Sequence, residues 1–156
     1  MLNRAYPSQD CSIARALEVV GERWTLLILR DAILGLDRFD DFQRSLGIAT
    51  NVLTNRLRLL ADEGLLERVP DPQRADRHRY VLTDKGRALG PAIISLMKWG
   101  DRFYAGPEGP PRLTLHRGCG GTLDDALVCD RCGQRAASGE IDLPAREEAA
   151  AAHAAV

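Results

Sequence analysis

Apolar residues at Ile13, Ala16, Leu17 and Val20 recur at i, i+3, i+4 and i+7, a stripe that predicts a short helix closed by Gly21. From Glu22 to Leu34 the spacing predicts a second helix. Trp24, Leu27, Ile28, Leu29, Ala32 and Ile33 make it apolar around most of its girth, as in a centrally buried helix. Gly35 breaks the pattern, Leu36 to Arg38 leaves room for a stub of strand, and Phe39, Phe42 and Leu46 mark a third helix ended by Gly47. Thr50 to Glu63 then places Leu53, Leu57 and Leu60 on one helical face and Asn51, Thr54, Asn55 and Arg58 on another. Gly64 follows as the residue past the helix end. Leu65–Val69 and Arg79–Leu82 read as two strands of a hairpin whose long basic tip is Pro70 to His78. Thr83 is suited to cap a last helix, with Asp84 in its first turn. Its apolar positions Leu89, Ile93, Leu96 and Phe103 carry it to about Tyr104, with a slight kink at Pro91.

The order helix, helix, stub, helix, turn, helix, hairpin, helix predicts a mainly α fold with a small β-hairpin, an α+β winged helix-turn-helix, followed by a short β-rich C-terminal extension. Residues 1–105 form the expected DNA-binding and dimerisation domain, and 106–111 (GPEGPP) a linker by composition. A small Cys/His extension is expected over 112–142, and an alanine-rich tail, frayed or disordered, over 143–156.

A hydrophobic fraction of 45% with 28% charged residues is that of a globular chain. No run of 18 apolar residues and no leader-like segment over Met1–Asp10 is found, so no membrane partner and a cytoplasmic location are expected. The net charge of −1 points to no partner, but its distribution does: Arg44, Arg56, Arg58, Arg68, Arg74, Arg77 and Arg79 are concentrated within the helix-hairpin segment. Asn, Thr and Arg hydrogen-bond base edges in the major groove, so Thr50, Asn51, Thr54, Asn55, Arg56 and Arg58 are the candidate recognition-helix contacts. Arg74, Arg77, His78 and Arg79 on the hairpin suit backbone phosphates or the minor groove of double-stranded DNA. A winged helix that docks only protein is the competing reading, separated by salt-dependent DNA affinity.

From Cys11 to Phe103 the chain resembles the HxlR family of MarR-related winged-helix regulators. The resemblance lies in Cys11, Ala16-Leu17, Gly21 to Leu29, Arg38-Phe39, Phe42, Leu53 to Leu57, Leu60, Glu63 to Leu66, Arg79-Tyr80, Leu82 to Gly86 and Trp99. Ser12 stands where a proline is common, and Glu22-Arg23 where Gly-Lys is common. The resemblance implies a homodimer that binds an inverted repeat, with repression as the default role, and that responds to a small-molecule or electrophilic effector. It implies a dimer interface built by the N-terminal segment and the helix from Asp84 to Tyr104; Ile94, Met97 and Trp99 lie partly outside the stripe that covers the chain's own core and suit that interface, with an intrachain core as the alternative. It also places Cys11 where some relatives carry a redox-sensing thiol, which Arg15, one turn on, would favour as thiolate; a plain buried or interface cysteine is the alternative.

Three of the four cysteines gather in His116-x2-Cys119-x9-Cys129-x2-Cys132. Two short-spaced pairs of soft and borderline donors suit one tetrahedral Zn²⁺ per chain, in the manner of a shortened zinc ribbon. Gly118, Gly120, Gly121 and Gly133 flank the donors as knuckle residues at positive φ. The alternatives are a small hairpin with free thiols that leans on the long helix through Leu113, Leu115, Leu123 and Leu127, or a Cys129/Cys132 thiol redox pair. The latter needs a strand-helix setting that Gly133 disfavours. No phosphate-binding glycine loop or paired catalytic carboxylates are apparent, and no enzyme activity is expected.

Overall fold

The computed structural model describes residues 11–145 and 148. Most of the expected alanine-rich tail lies outside those residues. The chain divides into two compact units, residues 1–88 and 89–156.

In the first unit α1 (Ser12–Val20), α2 (Thr25–Ile33), α3 (Phe39–Leu46) and α4 (Thr50–Asp62) precede an antiparallel hairpin of β1 (Leu66–Asp71) and β2 (Arg74–Leu82), and a single turn, α5 (Asp84–Arg87), closes it. Ile28 and Leu29 from α2, Phe42 from α3, and Leu53, Leu57 and Leu60 from α4 are fully shielded from solvent and form the core. These are the apolar faces that the spacing marks, and burial of such side chains contributes about 1.5–3 kcal/mol each. Gly47 adopts φ 60° and Gly64 φ 68°, so each reverses the chain after its helix where a Cβ would be strained. The stub is present as a bridge between Arg38 and Arg79, with the Tyr80 N–H donating to the Asp37 carbonyl at 2.7 Å.

Two elements differ from expectation. The hairpin has no long tip: β1 and β2 pair from Leu66↔Leu82 to Pro70↔His78, and after a register shift Asp71 faces Arg74. Pro72 and Gln73 alone make the turn, held by the Gln73 N–H donating to Asp71 Oδ1 at 2.9 Å. The polar composition of 70–78 hides the strand because both faces of this hairpin end meet solvent or ion-pair partners rather than a core. The last helix is also two pieces, α5 and α6 (Gly90–Tyr104). Pro91 has no N–H to donate and its ring conflicts with the carbonyl four residues back, so α6 starts afresh just before it.

Thr83 caps α5 as expected, accepting the Gly86 N–H at 3.1 Å and donating to the Gly64 carbonyl at 2.6 Å. That cap draws Gly86 against the base of the hairpin: a Cβ there would lie 2.1 Å from the Leu65 carbonyl oxygen and 2.9 Å from Leu82 Cδ2. Gly86→Ala is therefore expected to cost about 1–3 kcal/mol, seen as a clear fall in the thermal midpoint. An unchanged midpoint would mean that α5 lifts away freely.

The second unit comprises α6, β3 (Leu115–His116) paired with β4 (Ile141–Asp142), and bridges Leu115↔Thr122, Leu123↔Cys129 and Val128↔Arg135. Its core gathers Leu123, Leu127, Cys129, Ala136 and Ile141 around Ile94 of α6. Lys98 Nζ donates to the Leu123 carbonyl at 2.6 Å, and Arg102 lies 3.4 Å from Asp125. The faces of α6 thus depart from the expected assignment: Ile94 is turned inward, whereas Leu96 and Phe103 are exposed.

Candidate nucleic-acid interface and metal centre

Helix α4 has two chemically distinct faces. Opposite the buried Leu53, Leu57 and Leu60, the side chains of Thr50, Asn51, Thr54, Asn55 and Arg58 are exposed. They are ordered by local bonds: Gln43 Nε2 donates to Thr50 Oγ1 at 2.8 Å, Thr54 Oγ1 to the Thr50 carbonyl at 2.8 Å, and Arg58 Nη2 to Asn55 Oδ1 at 3.2 Å. Arg56 is set apart from this face. Its side chain retains 15% of its exposure and pairs with Glu22 at 3.1 Å.

The hairpin is tied to the entry of α3 by ion pairs between residues more than 30 positions apart. Arg79 Nε donates to Asp37 Oδ2 at 2.8 Å, Arg77 pairs with Asp40, and Arg38 Nε lies 3.1 Å from buried Asp71. Arg38 also donates to Gln73 Oε1 at 2.7 Å, and Arg68 meets His78 Nδ1 at 3.0 Å. The Asp71 carboxyl is held below the usual range by the Gln73 N–H, with Arg38 assisting against the opposing effect of burial. Asp37 likewise holds the Arg79 guanidinium charged. Arg74, Arg77 and His78 remain exposed along β2, whereas Arg79 is half-buried. The roles of Arg38 and Arg68 as partners of the hairpin, and those of Asp37, Asp40 and Asp71, were not read from sequence, where nothing marks partners so far apart in the chain.

In the second unit His116, Cys119, Cys129 and Cys132 converge, with all four donor atoms within 4.8 Å of one another. His116 Nδ1 is 3.3 Å from Cys119 Sγ and 3.2 Å from Cys132 Sγ, and the sulfurs of Cys119 and Cys129 are 3.4 Å apart. Bonds of about 2.3 Å to sulfur in a tetrahedron put sulfurs about 3.8 Å apart, so the four atoms surround a space of the size one metal ion fills. Gly118, Gly120 and Gly133 have φ of 89°, 66° and 70°. Gly121 differs from the other three: its φ is not positive, and it is needed for space, since a Cβ there would fall 2.4 Å from Cys129 Sγ.

Burial raises the Cys129 thiol, but the N–H groups of Cys132 and Arg131 and hydrogen bonds from the Cys119 and Cys132 thiols outweigh it and bring it down to about 6. For Cys119 the Gly121 N–H pulls downward, and burial with the neighbouring sulfurs overcomes it, leaving that thiol above its ordinary value. Cys11 is exposed at the head of α1, where the N–H groups of Ala14 and Ile13 hold its thiol below the ordinary value. No helix among the described residues is long and apolar enough to cross a membrane.

The HxlR-like helix-turn-helix family model matches residues 19–107, from the end of α1 through α6. The chain belongs to the HxlR-like helix-turn-helix family. It is 50% identical over 123 residues to the HTH-type transcriptional regulator Rv3095 of Mycobacterium tuberculosis, an alignment that covers 79% of this chain and 78% of that protein. Among solved structures it is similar to PA1607, with a TM-score of 0.70, 37% identity and coverage of 84% of this chain and 92% of that one. It is also similar to the redox regulator HypR in its reduced form, with a TM-score of 0.55, 30% identity and coverage of 59% and 92%. An HxlR-like chain with a winged-helix fold is a transcription regulator and not an enzyme. The Cys129/Cys132 pair accordingly sits on a turn of a small β module and not between a strand and a helix.

Proposed function

We propose that the protein binds an inverted-repeat operator as a homodimer in the cytoplasm and represses the gene it controls. The observation that carries this reading is the exposed polar face of α4, Asn51, Thr54, Asn55 and Arg58, set against the wholly buried Leu53, Leu57 and Leu60. That face is assigned to the major groove with Thr50 at its head, and Arg56 supports it by tying α4 to Glu22. Arg74, Arg77 and His78 are assigned to phosphates beside it. Arg79, engaged by Asp37, contributes mainly by keeping the wing in place.

The test is a gel-shift titration on the DNA upstream of the protein's own gene. Arg58→Ala should lose about 1–3 kcal/mol on the specific site and little on unrelated DNA. Arg74→Ala or Arg77→Ala should each flatten the log affinity against log salt slope by about one unit. Specific affinity that is absent at low salt would favour the protein-docking reading instead.

The Cys/His cluster is assigned one structural Zn²⁺ per chain, a reading supported by the closeness of the four donor atoms and the three positive-φ glycines around them. Cys11 is assigned to a small electrophilic effector on the strength of its exposure and lowered thiol pKa.

A further inference from the structure

The four donors of the Cys/His cluster are unequally protected. Cys129 Sγ is enclosed: the residue is 1% exposed, it belongs to the core with Ile94, Leu123 and Leu127, and Gly121 is packed directly over it. Cys119 is half-buried, and the Arg131 guanidinium closes over its carbonyl. Cys132 is exposed. A reactant arriving from solvent therefore meets the Cys132 sulfur most readily of the three, and that sulfur lies within 4.8 Å of both others. Metal-bound cysteine is held as thiolate, the form that attacks oxidants, and susceptibility follows exposure.

We propose that Cys132 is an oxidation site for hydroperoxides, and that its oxidation closes a disulfide to a neighbouring sulfur of the cluster and dismantles the metal centre. The inference rests on the zinc reading above. The Cys132 thiolate attacks one peroxide oxygen; an S–O bond forms, the O–O bond breaks, and the alkoxide or hydroxide released takes a proton from water. Cys132 is then a sulfenic acid, oxidised by two electrons, and the peroxide is reduced to alcohol or water. A second cluster thiolate, Cys119 or Cys129, attacks the Cys132 sulfur; the S–S bond forms and the S–O bond breaks, with hydroxide leaving and taking a proton. Two thiolates, one hydroperoxide and two protons thus become one disulfide, one alcohol or water, and one water. Two of the four donors are consumed, and His116 with a single thiolate is too small a set to retain a structural zinc.

The experiment treats the full-length, reduced, zinc-loaded protein with hydrogen peroxide, follows zinc release with a chromogenic chelator, and maps disulfides by mass spectrometry. Zinc is measured first, without oxidant: its absence would overturn the metal reading, while the disulfide map still judges the thiol chemistry by itself. The expected result is release of the bound zinc together with an intrachain disulfide that contains Cys132. Cys11→Ser should release zinc at the same rate. Cys132→His, which keeps a fourth donor but removes the exposed sulfur, should slow release on the order of tenfold; should that variant fail to hold zinc, the map of the wild-type protein decides. Zinc retained at millimolar peroxide, or a disulfide that joins Cys119 to Cys129 and leaves Cys132 reduced, would overturn the proposal.

Discussion

In the Cys129→Ser protein, the proposed zinc should fall from close to one equivalent per chain to below about a tenth, a difference expected when a tight structural site loses a thiolate. Serine is a poor donor to zinc, and it would place a hydroxyl in a position that is 1% exposed and surrounded by Leu123, Leu127, Ala136 and Ile141. Those few side chains with Ile94 make too small a core to hold residues 113–141, and metal binding in small zinc modules supplies about 10–16 kcal/mol of folding energy. The module should therefore become sensitive to limited proteolysis, with cuts between Leu113 and Ile141, while α1 to α5 remain protected. Metal analysis and peptide mapping check both parts. A module that stays protected without metal would show that its packing on Ile94 is sufficient, the alternative that the apolar residues of the extension raise.

The second large effect concerns self-association. Leu96, Trp99 and Phe103 follow one another at i, i+3 and i+7 on α6 and are 51%, 52% and 59% exposed, with Trp99 in ring contact with Phe103 at 5.6 Å and Tyr104 at 5.3 Å. An aromatic cluster of this kind is costly to leave in water, and the proposed homodimer would bury it. Central aromatic residues of an interface contribute about 2 kcal/mol or more each, so Trp99→Ala with Phe103→Ala should weaken dimerisation on the order of a thousandfold. Sedimentation at micromolar concentration should then show a monomer, and gel shifts should show half-sites filled independently. A double variant that remains dimeric would move the interface away from this face of α6.

The apolar periodicity placed α1 to α4; in α2 to α4 this is because a helix that must bury one face writes its 3.6-residue repeat into the chain, as Leu53, Leu57 and Leu60 do, whereas the stripe of α1 leaves Ile13 and Leu17 exposed and buries only Val20. The same repeat, read for its polar half, singled out Asn51, Thr54, Asn55 and Arg58 as the solvent-facing set. The convergence of His116, Cys119, Cys129 and Cys132 was equally legible, since short Cys and His pairs between glycines are a local pattern. What escaped is whatever depends on residues distant in sequence. The hairpin runs down to Asp71 and Arg74 because Asp37 and Asp40, in the approach to α3 and its first turn, engage Arg79 and Arg77, and no local signal announces such pairs. Gly121 looked like one more knuckle residue, yet its role is space for the Cys129 sulfur, eight positions further along the chain. On α6 the apolar positions exceed what one face can hold, so periodicity could not tell inside from outside. Only packing decided it: Ile94 meets Leu123, Leu127 and Ile141 of the Cys/His module, and Leu96, Trp99 and Phe103 are left to solvent.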